Sequence, residues 1–329
     1  MDRQLFPFVT TIAVVTAATA AQANDSIHLQ TDWIPSGEHA PYYGAWEKGI
    51  FADHGFDIRI TRGYGSGDTV LKLAANSFDF GVADVGSLMS ARAKEDVPVK
   101  VISTLYTHSP HSLFVLESSG ITDFSDLEGK QIGVTPGNSH RVYFPSIAEA
   151  SGTDPEQIRW VNMDGGAMAT QLISGNIDAA PFYSIHHYYQ NKAAESAGES
   201  IEVLPFVEAG FEIYAASLIT TDSMIEEQPE LVERFVAAVH DAFRWARDNP
   251  EEACELHVER VDEVQFDDCM GSLTATLEFV FNDHTDEVGV GAVDDDRALS
   301  TWQEVASAED LDPDWDFWQI FDTSFLPES

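Results

Sequence analysis

Asp32, Glu38 and His39 bring two carboxylates and an imidazole into one short stretch, and Trp33, Tyr42 and Tyr43 add three aromatic rings to it. A histidine beside a carboxylate can act as a general base. A hydrolase using His39 with Glu38 or Asp32 would also need a nucleophile on a sharp turn or a metal set, and the chain supplies neither in recognisable form. Pro35 and Pro41 restrict the backbone between these side chains. The stretch therefore reads as a surface that positions something; the plainer alternative is that its rings cover the end of a sheet.

Other candidate groups are sparser. His108 and His111 read only weakly as a metal pair, because no third ligand follows at suitable spacing. Cys254 and Cys269 have only His257 nearby, too few groups for a metal; an oxidising compartment would let them form a disulfide, with two free buried thiols as the alternative. The run Gly63-Tyr64-Gly65-Ser66-Gly67-Asp68-Thr69 could cradle an anion through backbone N–H groups, but it lacks both a P-loop lysine and the Rossmann spacing.

The elements that must position these groups alternate. Strands are predicted at Ile27 to Trp33, Phe56 to Thr61, Phe80 to Ala83 and Val99 to Leu105, with helices at Tyr43 to His54, Thr69 to Ala75 and Ser87 to Glu95. This is a βαβ series implying a parallel sheet, and the Trp33 stretch follows its first strand. Ligands of open α/β sheets bind beyond the carboxyl ends of strands. A second series begins after Ser109-Pro110-His111, with strands at Ser112 to Leu116, Gln131 to Val134, Ile158 to Val161, Asp178 to Phe182 and Ile201 to Phe206. The last strand, Tyr214 to Thr220, is followed only by helices, and Leu231, Phe235, Val239, Phe243 and Ala246 form one apolar face that must pack on a sheet already built. The economical solution is a chain that crosses into a second domain near residue 110 and returns near 213, so that two crossings make a hinge. Residues 24–110 and 214–329 then form one discontinuous domain and 111–213 the other. In the tail from Asp294 to Ser329, acidic residues interleave with Trp302, Trp315, Phe317, Trp318, Phe321 and Phe325, the pattern of an amphipathic peptide wrapping the body. An aromatic ligand box is the alternative there.

Composition sets the compartment and excludes some partners. Leu5 to Ala20 is apolar, Arg3 precedes it and Ala21-Gln22-Ala23 offers a cleavage site, which predicts a secretory signal peptide over 1–23, with an N-terminal membrane anchor as the alternative. No cysteine lies near the cut, so a lipid anchor is not expected. With 17 basic against 56 acidic residues the formal net charge is −39, yet 44% of residues are hydrophobic, which describes a folded body inside an acidic shell. Nucleic acid is excluded as a partner, since phosphate binding needs a basic face. Self-repulsion of such a shell is relieved by screening, so stability is expected to rise with salt, as in a halophilic protein.

Several segments, taken in order, carry a family signal: Asp32-Trp33-Ile34-Pro35, His39-Ala40-Pro41-Tyr42-Tyr43, Glu47-Lys48-Gly49-Ile50-Phe51, His54-Gly55-Phe56-Asp57, Gly65-Ser66-Gly67, Asp79-Phe80-Gly81-Val82-Ala83-Asp84, Val97-Pro98-Val99-Lys100 and the run from Ile121 to Gly133. Together they resemble the substrate-binding proteins of the thiamine-pyrimidine (NMT1/THI5-like) family. The resemblance implies an α/β fold of the periplasmic binding protein type II, in which two α/β domains are joined by a two-stranded hinge. It also implies a receptor that delivers a small-molecule ligand to the permease of an ABC transporter, and not an enzyme. Relatives in the superfamily bind aminopyrimidines, riboflavin, taurine, alkanesulfonates or nitrate. A fungal branch contains pyrimidine synthases with a cysteine-rich iron motif, a lysine that accepts PLP and a histidine that is consumed. Here only His39 is similar to that set, no cysteine cluster exists, and no lysine lies between Arg62 and Lys72.

A hinged binder closes on its ligand with strand-end loops of both halves. The first half offers Trp33, His39, Tyr42, Asp84 and Ser87, and the second offers Gly137, Asn138, Ser139 and Tyr183. Tyr106 and His108 stand at the first crossing, Glu208 and Glu212 near the second. Asp84 and Asn138 have helix capping as their alternative role, and His186 and His187 read as surface residues. Several rings, a few carboxylates and little positive charge favour a flat, neutral or amine-bearing heterocycle such as an aminopyrimidine. A sulfonate or nitrate would rely on Arg141 and the N–H groups at the Ser139 helix start. The expected protein is a periplasmic monomer without cofactor or metal.

Overall fold

The computed structural model describes residues 23–327, so the expected signal peptide lies outside the described residues but for Ala23. Strands β1 (Asp25–Gln30), β2 (Phe56–Thr61), β3 (Phe80–Asp84) and β4 (Val99–Thr104) belong to one sheet, and β5 (His111–Leu116), β6 (Gln131–Val134), β7 (Arg159–Asn162), β8 (Ala179–Tyr183) and β9 (Ile201–Pro205) to another. The last strand, β10 (Ala216–Thr221), returns to the first sheet, giving the orders β2-β1-β3-β10-β4 and β7-β6-β8-β5-β9. In each sheet the strand that follows a crossing runs antiparallel to its neighbours, β10 between β3 and β4 and β5 between β8 and β9. Alternation sets the edges: β2 buries Phe56 and Ile58 and exposes Asp57 and Arg59, whereas β3 and β5, covered on both faces, are buried throughout.

The two crossing segments lie side by side. Tyr106 N donates to Ala216 O at 2.9 Å and Ala215 N to Tyr106 O at 3.1 Å, so the lobes are joined by a hydrogen-bonded pair of strands. The helix Pro229–Asp248, started by its N-terminal proline, lays Leu231, Phe235, Val239, Phe243 and Ala246 on the first sheet, where Phe235 stacks on Phe80 with centroids 4.0 Å apart.

One expectation is corrected here. The helix expected over Tyr43 to His54 starts earlier and is broken, into Ala40–Lys48 and Ile50–Asp53, because Gly49 adopts a left-handed conformation (φ 88°) between them. In the acidic tail Asp294 caps a regular helix, Asp295–Glu309, which packs against both the helix Val85–Glu95 of the first lobe and His140–Ser151 of the second. Trp302 on its buried face places its indole N–H on Pro313 O, while Trp318 remains exposed. Cys254 and Cys269 form a disulfide between the helices Pro250–Arg260 and Phe266–Val280. No helix among the described residues is long and apolar enough to cross a membrane.

Candidate ligand-binding cleft

The carboxyl ends of β1 and β3 face those of β6 and β8, and the loops between them enclose a cavity of about 30 Å³. From the first lobe come Asp32, Trp33, Gly65 and Ser66; from the second come Asn138, Ser139 and His140 after β6, Pro181, Phe182 and Tyr183 of β8, and His186. Chain entry into this region is tightly constrained. Gly37 opens the turn Gly37–His39, and a Cβ there would fall 2.0 Å from Cys269 O, so the loop can rest on the helix Phe266–Val280 only with glycine.

A chain of buried ionisable groups runs behind the cavity. His39 Nε2 lies 3.3 Å from Asp32 Oδ1 and its Nδ1 3.7 Å from Glu38 Oε1, and the same Glu38 oxygen lies 2.7 Å from His186 Nε2 of the other lobe. Burial works against a charged His39, but Glu38 and Asp32 outweigh it and hold the imidazole above its ordinary pKa. For Glu38 burial is likewise opposed, by His186 and His39, and the carboxyl ends below its ordinary value; burial prevails at Asp32 and raises it. Carboxyl and imidazole groups alternate along the row, so each has a partner of complementary kind away from water.

Asp84 makes a second link across the cleft. As N-cap of the helix Val85–Glu95 its Oδ1 accepts from Ser87 N at 3.0 Å, and from the Tyr143 hydroxyl of the opposite lobe at 2.7 Å. Tyr143 reaches it only because residue 86 is glycine: a Cβ there would sit 2.0 Å from the phenol oxygen. Burial drives the Asp84 carboxyl up to about 7, although the hydrogen bonds from Tyr143, Ser87 and Gly86 favour its ionised form. His111 Nε2 lies 3.5 Å from Asp84 Oδ2 and 3.0 Å from Ser139 Oγ, and burial keeps this imidazole well below its ordinary pKa. His140 is pushed down to about 3 by burial and is a neutral ring. Backbone supplies a third link, Gly67 N donating to Gly137 O at 3.0 Å.

The expected residues are thus sorted by the fold. Trp33, Asn138, Ser139 and Tyr183 line the cavity, and Asp84, Ser87 and Gly137 stand at the cross-cleft contacts. His39 is one layer back, through Asp32. Tyr42 faces the core instead, edge-on to Phe243 at 5.3 Å, and Tyr106 lies at the hinge, 6.3 Å from the Tyr183 ring. His108 is exposed and bonded to Thr107, Glu208 lies in a separate depression with Thr122 and Ser151, and Glu212 is exposed with its carbonyl on Ser300. None of these three lines the cavity. Arg141, the cation suggested for an anionic ligand, is exposed with its guanidinium over Trp160 at 5.2 Å.

His186 is a correction: it is buried and bonded to Glu38, while His187 is half-buried with its ring on Ile201 O. Of the missed residues, Glu38, Phe182 and His140 adjoin expected ones, so the signal was their position next to His39, Tyr183 and Ser139, whereas His186 lies three residues beyond the end of β8. Among the residues that line the cavity, Tyr183 Oη and His186 Nδ1 are buried without a partner in the protein. No lysine or arginine is among the cavity's lining residues. Three rings with carboxylate, amide, hydroxyl and imidazole groups can stack a flat molecule and pair with its edge.

Two α/β lobes with facing strand ends and a paired-strand hinge define a hinged binding-protein fold. The chain belongs to the NMT1/THI5-like family, whose model matches residues 36–253. It is 27% identical to the riboflavin-binding protein RibY of Chloroflexus aurantiacus over 97% of this chain and 92% of that one. It is 26% identical to the formylaminopyrimidine-binding protein of Halalkalibacterium halodurans, over 76% and 74% of the two chains. A 4-amino-5-hydroxymethyl-2-methylpyrimidine phosphate synthase of Legionella pneumophila is 25% identical over 70% and 72%, so the relatives include both binding proteins and synthases. Among solved structures, the periplasmic aliphatic sulphonate binding protein SsuA of Escherichia coli superposes with a TM-score of 0.67 at 14% identity, covering 93% of this chain and 94% of that one.

Proposed function

We propose that this protein is the periplasmic solute receptor of an ABC importer and that it closes its two lobes on a small nitrogen heterocycle of the pyrimidine or flavin kind. The observation that carries the reading is the cleft's lining: Trp33, Phe182 and Tyr183 supply stacking faces, Asp32 and Asn138 supply edge partners, and no lysine or arginine is present to hold an anion. The exposed position of Arg141 argues against a sulfonate or nitrate for the same reason. Relatives named for riboflavin and formylaminopyrimidine support the ligand class. The same reading takes 24–110 with 214–329 as one lobe and 111–213 as the other, and a monomer that meets its permease with both lobes.

The reading is of a binder rather than a catalyst. His39, the residue on which a synthase reading would rest, is held between Asp32 and Glu38 and is set back from the cavity, and the two cysteines are joined to each other. Thermal shift and calorimetry with formylaminopyrimidine, riboflavin, 4-amino-5-hydroxymethyl-2-methylpyrimidine and taurine test the proposal. Micromolar or tighter binding of a heterocycle is expected; a shift with taurine and none with the heterocycles would replace it with the anion reading. Purified protein carrying one iron or one PLP per chain would instead favour the synthase.

A further inference from the structure

The cleft does not end at Trp33. The indole and Phe182 form a shared wall between the inner cavity of about 30 Å³ and an outer one of about 220 Å³. The wall is one ring thick: a Cβ on Gly165 in the outer chamber would sit 2.9 Å from the indole Cη2, so the ring lies directly against backbone. At roughly 10–15 Å³ for each water, the inner space takes two or three waters, and a substituted ring must extend past the indole. Gly165 lets the indole pack flush against backbone, so the passage into the outer chamber is opened by a movement of the Trp33 ring.

The outer chamber has its own chemistry. Gln190 lines it, is buried, and its Oε1 has no partner in the protein. Glu263 adds a carboxylate and Asp268 another whose Oδ1 already accepts from Lys192 Nζ at 2.7 Å; no lysine or arginine is among the chamber's lining residues, and the N–H of Gly166 at the nearby helix start is already taken by Asp164 at 2.9 Å. A phosphate or sulfonate would meet Glu263 and Asp268 with no lysine or arginine lining the chamber, whereas a hydroxyl or amine would meet acceptors.

We propose that the outer chamber is a second subsite, which receives a neutral or cationic chain bearing hydroxyl or amino groups carried by the heterocycle, with Trp33 as the partition where ring and chain meet. This rests on the heterocycle reading above. Calorimetry on the mature chain with matched probes tests it: riboflavin against lumiflavin, which has the same ring with a methyl in place of the chain, and 4-amino-5-aminomethyl-2-methylpyrimidine against 4-amino-2,5-dimethylpyrimidine. In whichever pair binds, the chain-bearing member should be at least ten-fold tighter. Its phosphate ester, or for the amine its N-sulfonate, should be at least ten-fold weaker, and Gln190→Leu should narrow the gap within the pair at least three-fold. Equal affinities within a pair, or undiminished affinity for the anionic derivative, would overturn the subsite while leaving the heterocycle reading intact. Binding of neither pair would overturn both.

Discussion

Glu38 Oε1 and His186 Nε2, from opposite lobes, lie 2.7 Å apart at the back of the cleft and are both buried. With Asp84 to Tyr143 and Gly67 to Gly137, this gives the closed arrangement three polar clasps spread along its seam. A clasp of polar groups can release, because on opening each group regains water.

Replacing His186 by phenylalanine leaves Glu38 buried with the Ser36 hydroxyl at 3.2 Å and the His39 imidazole at 3.7 Å, a loss on the order of 3 kcal/mol for the closed form. Ligand affinity should fall by about 100-fold. Small-angle scattering of the variant should show a more open molecule, and an unchanged radius with unchanged affinity would show that the pair does not hold closure. Because Glu38 is held below its ordinary 4.5, its contribution is present above that pH and is lost as pH falls through the lower folded value. Opening on acidification below 4.5 is therefore expected as well.

Asp84 acts in the opposite sense. Its carboxyl titrates near 3.8 when free and near 7 when folded, so between those values the native state keeps a proton that the unfolded state has lost. Stability falls as pH rises through this window, by up to about 4 kcal/mol. Asp84→Asn keeps an acceptor for the Tyr143 hydroxyl without the ionisation. Its melting temperature should match the parent's at pH 4 and exceed it increasingly up to pH 7 and beyond; a pH-independent difference would show that the carboxyl is not protonated in the fold.

The backbone clasp predicts a contrast between two glycines in one loop. A Cβ on Gly65 would meet Gly137 O at 2.4 Å from a backbone with φ +127°, whereas one on Gly67 would meet the same oxygen at an ordinary 3.4 Å. Gly65→Ala should weaken binding at least ten-fold, and Gly67→Ala should stay within about three-fold of the parent. Similar affinities for the two variants, measured by calorimetry, would mean that this contact does not form on closing.

How much of this was legible follows the kind of signal involved. Strands β2 and β6 were readable to the residue, since apolar alternation and short apolar runs are local properties. The double crossing was readable because a helical block without its own sheet must return to an earlier one. Pairings across the cleft were not, because they join residues far apart in sequence. His186 looks like an ordinary helix-start histidine until β8 places it against Glu38, and Glu208 looks like a hinge ligand until the turn Phe206–Ala209 carries it outward. Tyr42 was misplaced for a local reason: the helix begins at Ala40, earlier than expected, and rotates that ring onto the core.

The acidic shell gives a prediction independent of the cleft. With a net charge of −39 against 17 basic residues, repulsion should lower stability at low ionic strength and screening should restore it. A melting temperature that rises between millimolar and molar salt is expected, and a flat profile would count against it.

The position of β10 between β3 and β4 also governs how the chain comes into being. Every strand of the second sheet lies between residues 111 and 205, so that lobe can be complete as soon as its residues have emerged. The first sheet cannot: until residues 216–221 exist, β3 and β4 each present an unpaired edge, although they were synthesised more than a hundred residues earlier. The lobe that begins the chain is the last to finish. A nascent or truncated chain ending before β10 would carry two adhesive strand edges.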